Sequence, residues 1–165
     1  MAGTQKKRLA LDTNLLLDLA KDLDFAHDFR SVFQEANYSL LAGPTVFREL
    51  AFAGLYEREP EKTLATKAIA SAAKWGVLAF NLTRLDQTIA ERFAQRLLET
   101  GLLPEEECND ALILAETALE NIPLLVTSDK HLLDMDEDAL ALAFSSADLP
   151  AARPVHPKAL LRAMR

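Results

Sequence analysis

The chain has 165 residues, half of them hydrophobic, with 25 acidic against 18 basic residues and a formal charge of −7. That length suits a single domain over residues 1–165, and the acidic balance excludes a general nucleic-acid coat protein, whose affinity rests on many Lys and Arg contacts to phosphate. The lone cysteine, Cys108, excludes an intrachain disulfide and fits a reducing cytoplasm, while the polar start Met1–Arg8 lacks a signal-peptide core and no apolar run of about 18 residues predicts a membrane span.

Leu9-Ala10-Leu11 is short, apolar and followed at once by Asp12-Thr13-Asn14, which predicts a buried strand stopping at a polar turn. Leu15 to Ala20 then suits a short helix, and Phe25, Phe29, Val32 and Phe33 recur at helical spacing, predicting an amphipathic helix over 24–36. Tyr38 to Leu41 reads as a second strand. Pro44 and Thr45 suit the first turn of a helix with Val46, Leu50 and Ala53 on one face and Gly54 as its stop. A helix is expected across 60–75, closed by Gly76, and Val77 to Phe80 is either a third strand or an apolar loop. Leu85 to Thr100 and Pro104 to Glu120 predict two more helices, the second with an acidic first turn and a stripe of Leu112, Ala115 and Leu119. Leu124 to Thr127 reads as a strand that stops at Ser128-Asp129. The remainder is looser, punctuated by Pro150, Pro154 and Pro157, with Val155 as an edge strand and a short helix from Lys158. Strands alternating with helices predict an α/β fold, a mostly parallel sheet of four to five strands with helices on both faces.

In such a sheet ligands bind beyond the carboxyl ends of the strands. Asp12 and Asp129 both stand there, and they meet if the first and fourth strands are neighbours. Glu49, on the helix after the second strand, and Asp110, on the helix feeding the fourth, can reach the same crevice. Crowded carboxylates raise each other's pKa and call for a cation; oxygen-only ligands favour Mg²⁺ or Mn²⁺. Such ions polarise a phosphoryl oxygen and activate water, as phosphodiester hydrolysis requires. Each acid alone also has a plain reading. Asp12 and Asp129 suit helix caps, Glu49 a solvated helix surface, and Asp110, like Glu105, Glu106 and Glu107, a partner for a helix dipole.

Taken together the motifs match a family. Leu11-Asp12-Thr13-Asn14 resembles the opening of PIN domains, the ribonuclease fold of many bacterial toxin–antitoxin toxins of the VapC kind. Pro44-Thr45-Val46-Phe47-Arg48-Glu49-Leu50 resembles their second motif, Asn109-Asp110-Ala111-Leu112-Ile113-Leu114-Ala115 their third, and Val126-Thr127-Ser128-Asp129-Lys130-His131-Leu132-Leu133 their fourth. Order and spacing agree over nearly the whole chain, through Val155-His156-Pro157 and a terminal helix. The resemblance implies a three-layer fold and a metal-dependent ribonuclease. Asp12, Glu49, Asp110 and Asp129 would be its catalytic metal ligands, Asn14 and Ser128 nearby polar support, and the products would carry 5′-phosphate and 3′-hydroxyl ends. It implies RNA as substrate and, for a toxin, a small antitoxin protein covering the acidic crevice. The chain is longer than the smallest toxins, and Asp134 and Asp136 are extra acids that the resemblance does not rank.

Arg48, Arg84 and Lys130 flank the proposed site loops and are candidates for RNA phosphate contacts; Lys6-Lys7-Arg8 is either a further contact or a solvated start. His27, His131 and His156 lack the pairing of a zinc helix and read as surface or local polar residues. Glycine-rich phosphate loops are missing, which removes dinucleotide and P-loop binding. Two alternatives stand beside the ribonuclease, an inert PIN-type module that binds RNA or protein and a structure-specific DNA nuclease. Phe25, Phe29 and Phe33 belong either to the core or to a homodimer face.

Overall fold

The computed structural model describes residues 6–165, so the polar start lies outside the described residues up to residue 5. Five strands, β1 (Lys7–Leu11), β2 (Tyr38–Ala42), β3 (Val77–Ala79), β4 (Leu124–Val126) and β5 (Arg153–Val155), form one parallel sheet in the order β3-β2-β1-β4-β5. Helices α1 (Thr13–Ala20), α2 (Asp24–Glu35), α3 (Pro44–Tyr56) and α4 (Glu61–Ser71) connect the strands that step from β1 to β3. Helices α5 (Arg84–Glu99), α6 (Cys108–Leu119), α7 (Lys130–Leu133) and α8 (Glu137–Ser146) connect those that step back towards β5, which α9 (Pro157–Ala163) follows. Right-handed crossovers place connections on opposite faces when the chain steps in opposite directions. Three layers result: α1 and α3 pack with α4, α5 packs with α6, and α9 returns to α2.

The apolar runs that predicted strands are the sheet's covered centre. Leu9, Ala10 and Leu11 of β1, Leu40 and Ala42 of β2, and Leu125 and Val126 of β4 are all buried, as a strand covered on both faces requires. Phe29 and Phe33 lie within the core, their rings 4.5 Å apart. The homodimer reading of Phe25, Phe29 and Phe33 thereby loses two of its three residues. Phe25 itself is half-buried, with Lys158 Nζ 5.0 Å from its ring centre.

Four further differences have physical causes. Helix α3 runs through Gly54 to Tyr56; a Cβ at Gly54 would lie 3.1 Å from Thr66 Oγ1, so this glycine permits close packing of α3 on α4 instead of stopping the helix. Helix α6 begins at Cys108 and is buried on nearly every side from Ala111 to Ala118, not along one stripe, and Leu112 and Leu119 are only partly covered. Helix α8 falls in the stretch read as loose. It is capped by Asp136, whose Oδ1 accepts the Ala139 N–H at 2.9 Å, and Phe144 stacks on Phe93 at 4.6 Å. The basic triplet sits at the amino end of β1, where Arg8 donates to the carbonyls of Glu120 and Asn121, on the opposite edge from Asp12. Among the described residues no helix is long and apolar enough to cross a membrane.

Candidate acidic site

The chain steps from β1 one way and from β4 the other, so the gap between their carboxyl ends is the switch point at which open α/β sheets hold ligands. Strands β1 and β4 pair directly, Leu11 opposite Val126, and the Asp12 N–H extends the ladder to Val126 O at 2.9 Å. Asp12 is 2% exposed. Its Oδ1 accepts the Thr13 N–H at 2.7 Å, and its Oδ2 accepts the Thr127 hydroxyl at 2.6 Å.

Thr127 ties the crevice together. Fully buried, its Oγ1 also accepts the Asp129 N–H at 2.9 Å and the Asn14 amide at 3.3 Å. Asp129 caps α7 through Leu132 N–H at 3.1 Å, so the cap reading of this aspartate holds alongside its place at the site. Asn14 Oδ1 accepts the Ser128 N–H at 3.3 Å; Ser128 therefore enters through its backbone, its side chain being exposed. Across the crevice, Glu49 Oε1 accepts the Thr13 hydroxyl at 2.6 Å and its Oε2 the Asn109 amide at 3.3 Å.

The closest group of carboxylates is Glu107, Asp110 and Asp129, each with an oxygen within 4.8 Å of the others. Two of the four acids expected from the sequence fall in this group, while Asp12 and Glu49 border it. Glu107, read from sequence as a dipole partner, stands at the N-cap of α6 and joins it. Its signal was the spacing of one helical turn before Asp110, which puts both carboxylates on one face. Thr127, Thr13 and Asn109 carried no separate signal, because each acts by hydrogen bonding to an acid and not by its own charge.

The electrostatics record burial first and the crowding of charges after it. Burial pushes Asp12 up from 3.8 to about 6, against the hydrogen bonds of Thr127 and Thr13 and with the charges of Glu49 and Asp129 adding to the rise. Burial likewise lifts Asp110 to about 9, reinforced by its hydrogen bond with Glu107 and by the charges of Asp12, Asp129 and Glu107. These five acids therefore share one field. An all-oxygen set at this spacing, in which Asp12 and Asp110 resist ionisation, fits a hard divalent cation.

The remaining candidates are placed as follows. Arg48 is exposed, with Nη2 donating to Thr45 Oγ1 at 2.9 Å; Lys130 and Arg84 are exposed at the starts of α7 and α5. Asp134 is exposed at the end of α7, and neither it nor Asp136 belongs to the closest acidic group. His131 lies 3.5 Å from Glu107, His27 pairs with Asp22 at 3.1 Å, and His156 caps α9.

The chain is similar in fold to VapBC2 from Rickettsia felis bound to a DNA fragment from their promoter, with 16% identity, a TM-score of 0.62, and 90% of this chain and 98% of that one covered. It is also similar to VapBC-1 from nontypeable Haemophilus influenzae, at 13% identity and TM-score 0.53 over 92% and 98% of the two chains. FitAcB from Neisseria gonorrhoeae follows, at 14% identity and TM-score 0.52 over 90% and 97%. No curated protein sequence matches. The model of the PIN domain matches residues 9–138, a span holding all five acids of the crevice, and the chain therefore belongs to the PIN-domain family.

Proposed function

We propose that the protein is a Mg²⁺- or Mn²⁺-dependent nuclease that hydrolyses RNA, acting as the toxin of a toxin–antitoxin pair. PIN membership supports nuclease chemistry in general. The observation that carries the finer reading is the group of Glu107, Asp110 and Asp129 at the switch point, with Asp12 and Glu49 on its border.

Glu107, Asp110 and Asp129 would hold the ion, and Asp12 and Glu49 would complete its surroundings directly or through water. When bound, the ion supplies polarisation of the phosphoryl oxygen and activation of water. The protein's own part is to fix the acids. Thr127 and Thr13 orient Asp12, Thr13 and Asn109 orient Glu49, and the α7 cap orients Asp129. Asp110 holds a proton near neutral pH and would release it on holding the ion. Arg48 and Lys130, exposed and next in sequence to Glu49 and Asp129, are the RNA phosphate contacts. The similarity to VapBC structures supports an antitoxin as partner.

Cleavage of matched RNA and DNA strands in Mn²⁺, with the product ends identified, tests the reading. RNA cut to 5′-phosphate and 3′-hydroxyl ends is expected. Preferential DNA cutting supports the DNA nuclease instead, and 2′,3′-cyclic phosphate ends sink the water-attack chemistry, since they require attack by the ribose hydroxyl.

A further inference from the structure

One buried carboxylate stands apart from the crevice. Glu116, on α6, is 1% exposed. Helix α3 starts from Gly43, which has no side chain to cap it, and Pro44, which has no N–H. The first free donor is the Thr45 N–H, and it donates to Glu116 Oε1 at 3.0 Å. The Thr45 hydroxyl donates to Glu116 Oε2 at 2.6 Å, and the Gln87 amide of α5 reaches the same oxygen at 3.3 Å. A Cβ on residue 43 would stand 3.2 Å from Glu116 Oε1 and 2.7 Å from Phe80 Cζ. The glycine thus leaves the capping seat to a carboxylate from another helix, placed where the α3 dipole favours negative charge.

Elsewhere a serine or asparagine at the N-cap caps a helix locally without burying a charge. Glu116 does something a local cap cannot: it joins α3, which carries Glu49 one turn beyond Thr45, to α6, which carries Asp110 in its first turn. The Thr45 hydroxyl, its proton committed to Glu116, also offers a lone pair to Arg48 Nη2 at 2.9 Å. We propose that Glu116 is a positioning residue for the acidic site, acting through Thr45 and α3 to set Glu49 and Arg48 relative to Asp110. The proposal rests on the reading of the crevice as a metal-dependent nuclease site.

Glu116→Gln keeps an acceptor for the Thr45 N–H but turns an amide donor towards the donors of Thr45 and Gln87. Its effect is read by Mn²⁺ calorimetry and by carbon-13 NMR of the Glu49 side-chain carboxyl, beside thermal unfolding. Expected are a fall in Mn²⁺ affinity of about 10- to 100-fold, as for other residues that orient a metal ligand, a displaced Glu49 resonance, and little further loss of affinity in a Glu49→Gln background. Thr45→Val breaks the hydroxyl link, leaves the N–H cap, and keeps the test open if Glu116→Gln does not fold. An unmoved Glu49 resonance, or affinity losses that simply add in the double variant, overturns the proposal. Wild-type protein that binds no Mn²⁺ while its Glu49 resonance still responds to Glu116→Gln overturns the metal reading and leaves the positioning role standing.

Discussion

Metal-free protein should lose stability as pH rises above 3.8, through Asp110 up to about 9 and through Asp12 up to about 6, and the share that one substitution isolates is that of Asp12. Its carboxyl titrates at about 6 in the folded chain against 3.8 ordinarily, chiefly because it is buried. Between those values the folded state holds a proton that the unfolded state has released, so stability is greatest below the lower value and falls as pH rises. A rise of about two units corresponds to about 3 kcal/mol at full extent. Of this, about 1.4 kcal/mol is lost between roughly pH 5 and pH 7.5, which for a chain of this size is a Tm shift of about 3–6 °C. The assay is thermal unfolding with a chelator at those two pH values, for wild type and for Asp12→Asn, which removes the titrating group. The variant should lose less on going to the higher pH, by about those 3–6 °C. Added Mn²⁺ should stabilise the wild type more at the higher pH, because ion and proton compete for the same carboxylates. Equal losses in both proteins refute the reasoning.

Glu107→Gln should weaken Mn²⁺ binding by about tenfold or more in calorimetry, whereas Glu106→Gln, at an exposed position outside the closest acidic group, should leave it unchanged; equal effects contradict the placement of Glu107. Gly43→Ala drives a Cβ to 2.7 Å from the Phe80 ring and should cost about 1–3 kcal/mol in denaturant unfolding. Phe144→Ala removes a fully buried ring stacked on Phe93 and should cost about 3–5 kcal/mol. A loss under about 1 kcal/mol would show that α8 does not pack against α5.

The central strands were legible because burial on both faces demands uninterrupted apolar runs, and Leu9-Ala10-Leu11 and Leu124-Leu125-Val126 are such runs. Asp12 and Asp129 were legible as the polar residues that end them. Strand β3 was harder because it is a three-residue edge strand with Leu78 exposed. Helix α8 was obscured by the prolines beyond it, although Asp136 and the Leu140 and Phe144 pair carried its start and its buried face. Glu107 was hidden among neighbouring acids, where composition cannot tell a dipole partner from a crevice wall; the turn from Glu107 to Asp110 decides it in space. Glu116 gave no signal at all, since its partner Thr45 is 71 residues away and only the fold brings the two together.

The most direct test of the central claim is Mn²⁺-dependent cleavage of a mixed RNA pool by the wild type beside Asp129→Asn and Asp110→Asn. Asparagine is as good a helix cap as aspartate, so Asp129→Asn should keep α7 and the fold while removing a charge from the crevice. Cleavage by the wild type, abolished by chelator and by either substitution in proteins that still fold, is the predicted result. Cleavage that survives both substitutions, or a wild type as silent as its variants, contradicts the account.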